Sequence, residues 1–282
     1  MNLIKTVTHL CYIFGLIAVS SCTEVIDINL KNTEPRLIIE ASIDWEAGTS
    51  GADQAIKLSM STPVFDQQET TVTGATVTIT NNQTSDVFAF TDQNNGSYET
   101  NSFVPVLNQT YTLEVNYNSE KYTAEETLLP LTNEVRVFQS TNKFNKDLLE
   151  VNVEFQDELN NDNYYMIKFK AADDLLPSFS ILSDERIDGN FISIPNERQE
   201  DEDIDQVPYS VGSVVQIDLY AISERYFEYF DLLDDQLSGA GNPFSTTPVE
   251  IKGNITNETN LDNPPFGAFR LSSSYKEIYE FE

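Results

Sequence analysis

Between Glu197 and Asp205 the chain reads ERQEDEDID, six carboxylates in nine residues, with Asp184, Glu185 and Asp188 just upstream. Calcium is the cation such a stretch could hold, because it takes about six to eight oxygen ligands. Asp184, Asp188, Asp201 and Asp203 are the calcium candidates on that ground. The spacing argues against a built site: an EF-hand loop needs glycine at its sixth position and glutamate at its twelfth. The stretch from Asp92 has its glycine, Gly96, one place early and Phe103 where the glutamate belongs. Runs of like charge are normally solvated faces, so the expectation is a solvated acidic loop and no metal. Two carboxylates could also hydrolyse a glycoside, but that chemistry depends on their separation in space. With 46 acids in the chain, pairs arise by chance. No phosphate loop, nucleophile elbow or metalloprotease helix is present, and no catalytic residue is assigned.

The other reactive side chains lie near the N-terminus. His9 is the only histidine, and Cys11 and Cys22 are the only cysteines. Lys5 precedes a ten-residue apolar run from Leu10 to Val19, followed by Ser20, Ser21 and Cys22. One cation, a short apolar stretch and small residues before a cut site make a secretory signal. The run is too short to span a bilayer core of ~30 Å. Val19-Ser20-Ser21-Cys22 resembles a bacterial lipobox, which implies cleavage before Cys22 and acylation of that cysteine. Residues 1–21 are then a signal peptide and residues 22–34 a lipidated stem. A mature chain of this kind has no histidine and a single, blocked cysteine. It can form no Ser-His-Asp triad, Cys-His pair, His-bearing zinc site or intrachain disulfide. The covalent lipid on Cys22 is the only cofactor-like group expected.

Net charge is −30, with 16 Lys+Arg against 46 Asp+Glu, and loss of Lys5 with the signal makes it one unit more negative. Such a surface repels nucleic acid and anionic membrane alike, so membrane attachment must come through the lipid. Each buried methylene of an acyl chain contributes ~0.8 kcal/mol. Disorder is excluded by 13 Tyr, 17 Phe and 40% hydrophobic residues, which supply ample core.

From Arg36 onward the apolar residues alternate. Leu37, Ile39, Ala41 and Ile43 share one face, as do Ala75, Val77 and Ile79, and Tyr111, Leu113, Val115 and Tyr117. Period-two runs between Asn/Gly/Ser turns predict antiparallel sheets with one wet face. About seven strands in ~100 residues predict an immunoglobulin-like sandwich over residues 35–131. Asn118-Ser119 reads as a tight hairpin. Leu129 to Asn133 marks a boundary, and residues 135–282 form a second β-rich domain, with alternation at Leu149–Phe155, Tyr165–Phe169 and Val215–Ala221. One principal helix is expected over 223–238, capped by Ser223 and ended by Gly239. Its apolar stripe of Tyr226, Phe227, Phe230, Leu233 and Leu237 should pack on the parent sheet. Trp45 reads as a core residue, and no internal sequence repeat is visible.

The lipobox, the stem CTEVID and the later segments RLIIEA (36–41), GATVTI (74–79), GSY (96–98), SDERIDG (183–189), SERYFEY (223–229), GNPF (241–244) and FGAF (266–269) occur in this order. Together they resemble the DUF4249 lipoproteins of Bacteroidetes. The resemblance implies an outer-membrane lipoprotein, surface-facing rather than periplasm-facing, that works with a TonB-dependent receptor in nutrient binding or uptake. It implies no catalytic residues. Surface-export signals of that phylum cluster acids directly after the lipidated cysteine; here only Glu24 and Asp27 fall in the first five following positions, a departure from that pattern. The expected partners are the membrane, through the lipid, and the receptor; nucleic acid is not one. Phe244 and Phe266 are candidate receptor contacts, with capping of the C-terminal core as the alternative. The alternative functions are a carboxylate-based hydrolase and a structural or adhesive envelope protein.

Overall fold

The computed structural model describes residues 34–282 apart from 64–69, 133, 147, 160, 203–205 and 239–250. Its first half contains β1 (Leu37–Glu46), β2 (Gln54–Met60), β3 (Thr70–Thr71), β4 (Thr76–Asn81), β5 (Val87–Asp92), β6 (Ser97–Thr100), β7 (Thr110–Tyr117) and β8 (Glu120–Thr127). The order β1-β2-β6 makes one face and β5-β4-β7-β8 the other, with β5 joining the two as the sheet curls. The alternating residues point inward: Ile39, Ile43, Ile79, Leu113 and Val115 are fully sealed between the faces. Tyr111, at the start of β7, donates its hydroxyl to the Val104 carbonyl at 2.8 Å and accepts the Val106 amide at 2.9 Å. A buried tyrosine tied to backbone just upstream in this way is a hallmark of immunoglobulin-like sandwiches. Asn118 and Ser119 both take positive φ, 49° and 66°, as a two-residue hairpin matched to strand twist requires.

The second half repeats the same plan. Its strands are β9 (Val135–Thr141), β10 (Leu149–Gln156), β11 (Tyr164–Ala171), β12 (Ser178–Ser183), β13 (Phe191–Glu197), β14 (Val214–Ile222) and β16 (Phe266–Glu280). Here β9-β10-β13 form a three-stranded sheet over β12-β11-β14-β16. In chain order these seven strands pair as the seven principal strands of the first half do, except that β12 and β13 stay unpaired where β5 and β6 join. Val151, Val153 and Phe155 of β10 meet Tyr165, Ile167, Phe169, Val215, Ile217 and Leu219 across the core. The protein is therefore mainly β and immunoglobulin-like, and the repeat lies in strand order without a matching sequence repeat.

An insertion separates β14 from β16. It carries α1 (Glu224–Ser238) and β15 (Thr256–Asn257). Ser223 caps α1, its hydroxyl accepting the Tyr226 amide at 3.2 Å. Tyr226, Phe227 and Phe230 pack on Met166, Tyr220 and Ile222, the reverse face of the second sandwich. Leu237, expected in the same stripe, is 68% exposed: the last turn of the helix does not join that contact. Gly239 lies outside the described residues.

The insertion then returns to the first sandwich. Short β15 pairs with β8 on one edge, and the first half of β16 pairs in parallel with β1 on the other. Ile255, Phe269 and Leu271 enter the first core, while Tyr275, Tyr279 and Phe281 belong to the second. The chain passes between cores at Leu128 to Val135, but residues 255–271, expected in the second domain, complete the first. Thirteen strands thereby form one continuous curled sheet. At the junction the sealed Arg270 binds Asp44 at 2.9 Å and lies over the Tyr220 ring at 4.3 Å.

Candidate functional site

Two loops of the second sandwich face the junction: residues 157–163 between β10 and β11, and residues 184–190 between β12 and β13. Antiparallel pairing puts them at the same end, since Gln156 is opposite Phe191 and Tyr164 is opposite Ser183. This arrangement gathers Asp157, Asp184 and Asp188, whose carboxylate oxygens lie within 4.8 Å of one another. Asp157 is 3% exposed and Asp184 is 2% exposed, while Asp188 is open to solvent. Tyr165 donates its hydroxyl to Asp157 at 2.6 Å, and the Gly189 amide donates to the other oxygen at 2.8 Å. Burial raises the Asp184 pKa, and the neighbouring charges of Asp157 and Asp188 raise it further; a hydrogen bond with the Asn163 backbone pulls it down. Burial also pushes the Tyr165 phenol up, as does its bond to Asp157, so the phenol stays a donor.

Like charge nearby opposes ionisation, which adds to the burial that raises Asp184. The trio offers oxygen ligands suited to a hard cation. It does not offer a hydrolytic pair. A glycosidase holds its carboxylates on either side of a sugar, ~5 Å or more apart and reachable; Asp157 and Asp184 are sealed. A crevice of about 580 Å³ runs past Asp157 between the sandwiches, walled by Asn108, Pro130, Thr132, Glu134, Glu158 and Tyr165. A wider open hollow of about 750 Å³ covers the outer face of the first sandwich, where Asp53, Gln54, Glu99, Asn101 and Lys276 make a polar lining without an aromatic platform.

The four acids singled out from sequence separate in the fold. Asp184 and Asp188 come together with Asp157, which sequence reasoning missed. Asp201 lies at the opposite end of β13, in a backbone bridge with Gln206. Asp203, Phe244 and Cys22 lie outside the described residues. Phe266 opens β16 opposite Ile38, half-buried, with the Arg36 guanidinium 3.7 Å above its ring. It covers the first sandwich beside Arg36, at the start of β1. Asp157 could have been found by placing loops on the sandwich: the strand after Leu149 ends at Gln156, so its loop shares an end with that of Asp184.

A family model described as "Domain of unknown function (DUF4249)" matches residues 23–278. The chain belongs to the DUF4249 family. The matched segment spans both sandwiches and the inserted helix, so the shared first edge and long last strand fall within the family's domain. No curated protein matches the chain. Among solved structures, this DUF4249 chain is similar to a two fibronectin type-III domain segment from chicken tenascin. That match has 11% identity, covers 66% of this chain and 90% of that one, and has a TM-score of 0.21. It is also similar to the FN1–FN3 domains of chicken CNTN1, at 13% identity, covering 64% of this chain and 63% of that one, with a TM-score of 0.22. The fold rests on the strand pairings above, not on these superpositions.

Proposed function

We propose that this DUF4249 protein is a lipid-anchored accessory protein of the outer membrane that binds a TonB-dependent receptor in nutrient capture or uptake, and that it is not an enzyme. The observation that carries the reading is the fusion of two sandwiches into one sheet through β16. A body of this kind holds its loops at fixed positions relative to the point where the stem joins, as a docking part must. Cys22 and the apolar run before it support the anchor. A chain with net charge −30 has no other evident means of holding a membrane. The low exposure of Asp157 and Asp184, 3% and 2%, argues against the hydrolase alternative.

The test is purification of the lipidated protein from its own membranes. A TonB-dependent receptor should co-purify in near-equal amount, and loss of either gene should impair growth on the same nutrients. Cys22→Ser should move the protein from the membrane to the soluble fraction. Normal growth of the deletion strain, together with glycoside hydrolysis by the purified protein, would sink the proposal.

A further inference from the structure

The end of the second sandwich away from Arg36 and the start of β16 presents large apolar residues on three separate loops. Phe144 on the β9–β10 loop is 99% exposed, and Leu175 and Leu176 on the β11–β12 loop are 91% and 77% exposed. On the connection from β13 to β14, Val207 is 55% and Val211 is 74% exposed. The pairings put all three loops at one end: Thr141 is opposite Leu149, Glu150 opposite Glu197, Phe169 opposite Ser178, and Ala171 opposite Val215. Isolated exposed apolar side chains are ordinary, but several on neighbouring loops mark an interaction surface.

The base beneath these loops is stiff. Arg198, 7% exposed, leaves the end of β13 and crosses to the other sheet, binding Asp173 at 2.8 and 3.1 Å and Asp174 at 3.0 Å. Between Val207 and Val211 the buried Tyr209 turns inward, bonds Asn196 at 2.7 Å and stacks on Phe281 at 4.6 Å. Asn142 bonds Glu197, tying in the third loop. Exposed apolar tips on a braced base lose little entropy on binding, which is how interface anchors gain affinity.

The occupant follows from charge and position. Exposed Glu200, Asp201, Glu202 and Glu282 border the tips, set against Lys143 and Lys146, within a chain of net charge −30. An anionic lipid surface is repelled. Arg36 lies beside Phe266 at the start of β16, whereas the tips flank Glu280 at its other end; at ~3.3 Å per residue that strand separates them by ~45 Å. A second copy would bring like charge to like. We propose that this end is a protein-docking surface whose partner presents an apolar pocket bordered by lysine and arginine. The surface is inferred independently of the receptor reading.

The experiment places a photo-activatable benzoylphenylalanine at Leu176, and as control at Val87, in the full lipidated chain in its own cells. Leu176 should give one protein adduct, mapped to an apolar segment flanked by basic residues, and Val87 none. Combining Phe144→Asp with Val211→Asp should lower the yield about tenfold without shifting the melting temperature. Raising ionic strength to about 0.5 M should lower it severalfold. A receptor adduct supports this surface and the proposed function together. An adduct with a different protein that meets the same description supports the surface and removes the receptor. No adduct, equal adducts at both positions, or an adduct with lipid, with a second copy or with a segment lacking basic residues overturns the surface, whether or not the receptor co-purifies.

Discussion

Asp184 shows how one buried acid converts burial into pH dependence. Its folded pKa is raised above the ordinary 3.8, by burial first and then by Asp157 and Asp188. The folded state therefore holds the proton more tightly than the unfolded chain does. Its contribution is fully present below the ordinary value and is lost as pH rises through the raised one. Asp184→Asn removes the charge and keeps the shape. At pH 7 it should be more stable than the parent by on the order of 1 kcal/mol, or ~2–4 °C in melting temperature for a body of this size. The advantage should shrink as pH falls toward the ordinary Asp range. If instead calcium, and not magnesium, raises the parent's melting temperature saturably, the trio is a cation site. Arg270 is the opposite case, a buried cation whose partner Asp44 is 2.9 Å away. Arg270→Ala should cost ~3–5 kcal/mol in denaturant unfolding, because it strands Asp44 beside two tyrosines. Arg270→Met with Asp44→Asn should recover most of that loss.

At the scale of elements, the close approach of β16 to its neighbours rests on two glycines. A Cβ at Gly253 would sit 1.8 Å from the Gly267 carbonyl oxygen, and one at Gly267 would sit 2.2 Å from that of Ile39. Both contacts are with backbone, which cannot swing aside. Gly253→Ala should destabilise by more than ~2 kcal/mol through displacement of β16, while Gly74→Ala, with open space around its site, should act only through its positive φ. A Gly253→Ala variant that melts with the parent would mean that the β16–β1 contact contributes little. Alternation made most strands legible, because each buries one face and wets the other: Leu37 to Ile43 and Tyr165 to Phe169 are examples. The start of α1 was legible through Ser223. The course of β16 was not. Ser272, Ser273 and Ser274 offer no apolar alternation, and all three are buried at the junction, where protein covers both faces and the alternation signal vanishes. Asp157 was hidden for a related reason. Its partners arrive from a different hairpin, and nothing local to residues 157–163 records that.

At the scale of the molecule, the first sandwich is incomplete without residues supplied from the end of the chain. A fragment of residues 35–131 lacks Ile255, Phe269 and Leu271 from its core and leaves the β1 and β8 edges open. Open strand edges pair with other chains. The fragment should therefore melt well below the full body, or aggregate, by circular dichroism and sedimentation, whereas adding residues 251–274 through a flexible linker should restore a cooperative transition. A fragment that melts as the full body does would show that the sandwich stands alone.

The shared strand also sets the order in which the molecule can be finished. A ribosome releases the first sandwich long before it releases β16, so the half made first must wait, edge open, until residues 255–271 have emerged. Non-local pairing of this kind delays folding until the loop closes. A growing chain that cannot lock its first half stays open along β1 and β8 until then. Premature termination anywhere before Leu271 would spoil both halves at once, so truncated copies would be left as targets for proteases, with no half-active remnant.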